Sequence, residues 1–165
     1  MIVLDGNGAI TGLTATGISA VQQLPSGSVL QVVQVSYPTQ TTTTSTTLSA
    51  TGVSAIITPK FATSKILMFA SMNGVSCANS NNNAHFEIYR NGVSQSYLED
   101  ALMNTLTAFG NAGASYQYLD SPASTSALTY AIWWKSQTGG TVYLNNYASG
   151  ANRTVSAMTL MEIAG

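Results

Sequence analysis

Residues 85–98 carry the most restrictive pattern in the chain: a period-two alternation broken by one dipeptide. Phe86 and Ile88 alternate with His85, Glu87 and Tyr89, Asn91-Gly92 follows, and Val93 opens a second run over residues 93–98. A period of two sends alternate side chains to opposite faces of a strand. An Asn-Gly pair accepts positive φ at both central positions of a type I′ turn, whose twist matches that of the antiparallel strands it joins. The segment therefore reads as a hairpin with Phe86 and Ile88 inward and His85, Glu87 and Tyr89 on the solvent face. A hairpin alone is marginal in water, so the rest of the chain must supply a sheet and a core.

Other segments carry the same signature. After Pro25-Ser26-Gly27, residues 29–37 place Val33, Val35 and Tyr37 on one face and Leu30 and Val32 on the other. A run over residues 53–57 stops at Thr58-Pro59-Lys60, and Ile66-Leu67-Met68-Phe69-Ala70 follows, apolar on both faces as in a buried central strand. Leu128, Tyr130, Ile132 and Trp134 alternate with Thr129, Ala131, Trp133 and Lys135; Gly139-Gly140 turns the chain into residues 141–144, and residues 155–163 form a last strand. Sustained helical spacing is hard to find, and no crossover helix separates the runs. The expected fold is an all-β antiparallel β-sandwich, jelly-roll-like, over residues 25–165. Residues 39–47, nearly all Thr, Gln and Ser, and residues 77–83, rich in Asn and Ser, read as surface loops.

Residues 1–24 differ in kind. Gly6, Gly8, Gly12 and Gly17 break any regular element, yet Ile10, Leu13, Ile18, Val21 and Leu24 recur at intervals of three to five. So short a stretch cannot bury these groups within itself, and each aliphatic side chain left in water forgoes about 1.5–3 kcal/mol. An extended N-terminal arm that packs on a sister subunit or another protein answers this. The other reading makes the segment the first part of the domain's own sheet. Under the first, the five apolar residues are the anchoring and oligomerisation candidates.

Charge is scarce. Charged residues make up 7% of the chain, against roughly 25% in soluble domains. A net charge of −1 gives little self-repulsion and favours association. Lys60, Lys65, Arg90, Lys135 and Arg153 are dispersed, which argues against a nucleic-acid partner and an anionic membrane surface. Met1-Ile2-Val3-Leu4-Asp5 has no basic n-region, so synthesis in a host cytoplasm without a signal peptide is expected. A single cysteine, Cys77, excludes an internal disulfide framework and leaves oligomerisation as the obvious stabiliser; a small buried thiol is its ordinary state.

The residue types of catalysis do not converge. His85 is the only histidine, no Gly-x-Ser-x-Gly elbow accompanies it, and a structural or surface-binding role suits it better than a proton relay. Glu99 and Asp100 would point to opposite faces of a strand, while Glu87 and Glu99 across the hairpin are a conceivable carboxylate pair. Neither zinc nor calcium spacing is present, although an ion on a symmetry axis stays open; no cofactor is implied. Trp134 shares its face with Leu128 and Ile132 and reads as core. Trp133 lies opposite, where with Tyr89, His85 and Asn81 it forms a possible surface for a ligand such as a sugar.

Four stretches carry a resemblance: Gly27-Ser28-Val29-Leu30-Gln31-Val32-Val33-Gln34, Ser64-Lys65-Ile66-Leu67, the Phe86 to Gly92 hairpin, and Met158-Thr159-Leu160-Met161-Glu162-Ile163. Together they resemble a module of tailed bacteriophages found in tail-fibre and other virion structural proteins. The resemblance implies a jelly-roll-like sandwich that forms homotrimers on the outside of a virion. Only 24 or so residues precede the module, too few for a fibre shaft. This favours a capsid decoration protein or short head spike, with the major capsid protein as partner, over a tail-fibre tip that binds host surface glycans. A small hydrolase or isomerase is the reading from another class, and it lacks a base, nucleophile and oxyanion site together.

Overall fold

The structure is a computed structural model that describes residues 3–4, 10–11, 25–78, 82–102, 112–146 and 154–165, with side chains over 25–78, 82–96, 112–146 and 154–165. Twelve strands are present and no helix among the described residues. β1 (Val3–Leu4) and β2 (Ile10–Thr11) pair antiparallel, Val3 opposite Thr11 and Leu4 opposite Ile10, so the glycines of this segment flank a short ribbon rather than excluding regular structure. β3 (Val29–Tyr37), β4 (Thr41–Thr43), β5 (Ser49–Ile57) and β6 (Lys65–Cys77) follow. Then come β7 (Ala84–Arg90), β8 (Val93–Leu102), β9 (Ala112–Asp120), β10 (Leu128–Ser136), β11 (Val142–Leu144) and β12 (Ser156–Ile163).

Two antiparallel sheets pack face to face, as the alternation predicts. In one, β3, β12, β6 and β9 lie side by side, and the far end of β6 continues into β11 and then β4. The other runs β5, β10, β7, β8. Met68, Met72, Met158 and Leu160 of the first sheet meet Ile57, Phe86, Ile88, Tyr130, Ile132 and Trp134 of the second, all fully buried. Phe86 touches Tyr116 of β9 across the core and lies against Trp134 of its own sheet, with centroids 6.2 and 6.1 Å apart. The hairpin forms as expected, with φ of 50° at Asn91 and 79° at Gly92.

Three expectations need correction. Residues 41–43, assigned to a surface loop, form β4 against β11, because consecutive threonines are β-branched and suit a short edge strand. β9 was not expected: Ala, Gly and Ser fill its first half, and its inward pair, Tyr116 and Tyr118, is only partly buried. β6 is not buried on both faces over residues 65–71; Phe69 is 38% exposed, since the sheet's outer face is open there. Only beyond Gly74 do both faces close, where Val75, Ser76 and Cys77 have no exposure.

Candidate interaction surfaces and the polar clamps

Two ends of the sandwich are held by buried polar groups of opposite character. At one end, Gln31, Glu162, Ile66 and Asp120 stand in register across β3, β12, β6 and β9. Glu162, with no exposed surface, accepts from Ser64 Oγ at 2.7 Å, from the Lys60 backbone N–H at 2.7 Å and from Gln31 Nε2 at 2.5 Å, with a weaker contact from Phe61 N–H. Burial opposes its ionisation, but these donors outweigh it and hold the carboxyl below the usual range. Asp120 accepts from Arg90 Nη1 at 2.5 Å and Tyr130 Oη at 2.6 Å, tying β9 of one sheet to β7 and β10 of the other. Burial, and then the Asp120 bond and charge, push the Tyr130 phenol far above its ordinary value, so it stays a donor.

The other end is closed by neutral amides. Asn145 is fully buried at φ 55°; its Nδ2 donates to the Tyr37 and Thr39 carbonyls at 2.7 and 2.9 Å, and its Oδ1 accepts from Ser156 Oγ at 2.7 Å. Asn82, in a stretch expected to be a surface loop, is 1% exposed. Its Oδ1 accepts from Ser136 Oγ and from the Thr138 hydroxyl and N–H, while Nδ2 donates to the Gly140 carbonyl. A side chain that satisfies four turn groups belongs inside the fold rather than in water. Asn82→Ala should therefore cost about 2–3 kcal/mol, read as a lower urea midpoint at unchanged slope.

Sequence reasoning named His85, Tyr89, Trp133 and Asn81 as a surface for a ligand. Asn81 lies outside the described residues. The other three share the outer face of the β5-β10-β7-β8 sheet, where β7 and β10 pair with Ala131 opposite Tyr89 and Trp133 opposite Glu87. His85 is not solvent-facing as expected, for it has no exposed surface. Its Nε2 lies 3.1 Å from Glu87 Oε1, and a carboxylate only accepts, so Nε2–H donates. Ser94 Oγ donates to the other Glu87 oxygen at 2.8 Å. The carboxylate thus stands between hydroxyl and imidazole, whereas a serine relay needs the imidazole in the middle. Glu99 is not the cross-strand neighbour of Glu87; the register puts Tyr97 there.

Tyr89 and Trp133 are brought together. Their rings stack at 4.3 Å with 13° between planes, which uses one face of each and leaves at most the other for a flat ligand. Burial, and then the charge on Glu87, raise the Tyr89 phenol above its ordinary value. Cys77 is a buried thiol as expected, its ionisation opposed by burial. No group of three or more His, Cys, Asp or Glu able to hold a metal occurs among the described residues. Of the arm candidates, Ile10 falls in β2, described as backbone, and Leu13, Ile18, Val21 and Leu24 lie outside the described residues.

No family model matches the chain, and no curated relative is found for it. Sequence reasoning missed both acidic clamps, because Glu162 sits alone in an apolar run and Asp120 stands where the chain turns polar at Ser121-Pro122. The one available signal was parity: Glu162 alternates in step with the inward Met158 and Leu160.

Proposed function

We propose that this chain is a structural protein of a tailed-bacteriophage virion, a homotrimeric capsid decoration or short head-spike protein anchored through residues 1–24. The observation that carries this reading is the use made of the buried polar groups. Glu162, Asp120, Asn82 and Asn145 each spend their hydrogen-bonding capacity on joining strands and turns at the ends of the sandwich. Such wiring makes a rigid block, and the scarcity of charge leaves that block little to desolvate where it packs against neighbours. We read the strand order, β3-β12-β6-β9 against β5-β10-β7-β8, as a jelly roll, the architecture of many shell proteins.

The Tyr89–Trp133 stack favours a second reading, a fibre tip that recognises host surface glycans, since sugar faces pack on aromatic rings. Binding experiments separate the two. Under the decoration reading, the full chain binds empty capsids, and removal of residues 1–24 abolishes that binding while the sandwich still melts cooperatively. Capsid binding that survives the removal would overturn the anchoring role. Glycan binding that is specific and lost in Trp133→Ala would establish the fibre-tip reading instead.

A further inference from the structure

The outer face of the β3-β12-β6-β9 sheet is composed unlike an ordinary solvent face. The register aligns Val32, Met161, Leu67 and Leu119 into one row that crosses all four strands. Val32 is 55% exposed and Leu119 53%. A solvated antiparallel face normally alternates to polar residues at such positions, so a complete apolar row there calls for a cover. The next row along centres on Phe69 among neutral Gln and Thr side chains, and the one after is Ser and Ala throughout. Beside the apolar row, these two neutral rows enclose a shallow hollow of about 280 Å³.

None of the three rows contains an acidic or basic residue; Lys65, paired with Ile163, stands at the rim. A charged partner docking here would lose hydration from its ions and find no counter-charge. A neutral, partly apolar surface suffers no such loss, and this chain's own face is one. The opposite sheet does not offer the same, since its outer face carries the His85–Glu87 pair and Lys135. Four strands about 4.8 Å apart and about eight residues long, at ~3.3 Å each, make a flat footprint of roughly 500 Å². Side chains standing up from the sheet raise its accessible area towards the ~800 Å² that each partner gives to a stable interface.

We propose that this face is where one copy of the chain meets a second copy in solution, the apolar row of one packing into the neutral hollow of the next. Ridge and hollow lie side by side on one face, so a two-fold pair buries each ridge in the other's hollow, whereas a head-to-tail contact that uses one of each per copy closes into a ring such as a trimer. The proposal deepens the assembly reading above. It is tested on the purified chain without capsids, so its failure and a failure of particle binding are distinct results.

The experiment is sedimentation velocity of the full chain from about 1 to about 100 µM, where a closed oligomer shows a concentration-dependent midpoint. The wild type should sediment as an oligomer, and the double variant Val32→Glu, Leu119→Glu should weaken association at least about 100-fold with its far-UV spectrum unchanged. Both positions are exposed, so folding should tolerate them; should the glutamates unfold the chain, Val32→Thr with Leu119→Thr is read out in the same way. A monomeric wild type throughout the range overturns the proposal, as does a folded variant that stays oligomeric. A third protein, full-length with Ile10→Ser and Leu13→Ser, keeps the oligomer if the sheet face joins the copies. If it dissociates while the face variant does not, the arm is the occupant and the proposal fails.

Discussion

Glu162→Ala should lower the stability of the fold by about 3–5 kcal/mol, the range seen when one partner of a buried charged network is deleted. For a chain of this size that is a fall of roughly 10 °C or more in Tm. The size follows from what is left behind. Ser64 Oγ is buried and donates to Glu162, the Lys60 and Phe61 N–H groups point at the same oxygen, and Gln31 Nε2 binds the other. Without the carboxylate the buried Ser64 hydroxyl loses its acceptor and the half-buried Lys60 and Phe61 N–H groups lose theirs, while Gln31 Nε2 keeps the Thr58 carbonyl at 2.7 Å; a buried unsatisfied donor costs about 1–3 kcal/mol. Glu162→Gln should recover part of the loss, since it keeps an acceptor oxygen for Ser64 and Lys60 but sets an amide NH₂ against Gln31. Acid should reproduce the effect in the wild type. The folded carboxyl ionises below its unfolded value of about 4.3, so its contribution is complete above that pH and is lost as pH falls through the folded value. Urea midpoints at neutral pH and near pH 3 should differ less in Glu162→Gln than in the wild type.

Gly74→Ala should be as damaging, by about 3–5 kcal/mol, for a different reason. Between Met72 and Val75 the pairing of β6 with β9 shifts register, and Gly74 sits in that irregularity at φ 58°. A Cβ there would strike the Thr154 hydroxyl, and would lie 2.5 Å from the Asn146 carbonyl oxygen and 2.8 Å from its nitrogen. A hydroxyl can rotate aside, but the Asn146 backbone is held by its own N–H bond to the Gly74 carbonyl. The irregularity also lets β6 leave β12 and take up β11 at Ser76 and Cys77. Gly92→Ala is the control: its φ of 79° is equally left-handed, yet no atom lies within 4 Å of the added Cβ. It should cost only about 1–2 kcal/mol, so comparing the two midpoints isolates the steric part.

The strands legible in the sequence are those whose apolar residues alternate cleanly and end at turn residues. β3, β7 and β10 were readable for this reason, and so was the sandwich. Three limits of pattern reading account for the rest. Composition does not distinguish a threonine-rich loop from an edge strand, which hid β4. Parity assigns a face and not its burial, so His85 was placed on the correct face and wrongly given to solvent. A two-sided apolar run also reads as buried, although the outer side of β6 is open and Phe69 and Leu67 stand on it. The interaction surfaces were less legible still, because the apolar row from Val32 to Leu119 draws one residue from each of four strands and exists only once they are in register. The Tyr89–Trp133 pair could be named from strand parity, but its stacking could not.

Antibody or gold labelling of purified virions, viewed by electron microscopy, tests the assembly account most directly. The account predicts label distributed over the particle shell, in copies that are multiples of three. Label confined to tail tips, or absent from particles altogether, would contradict it.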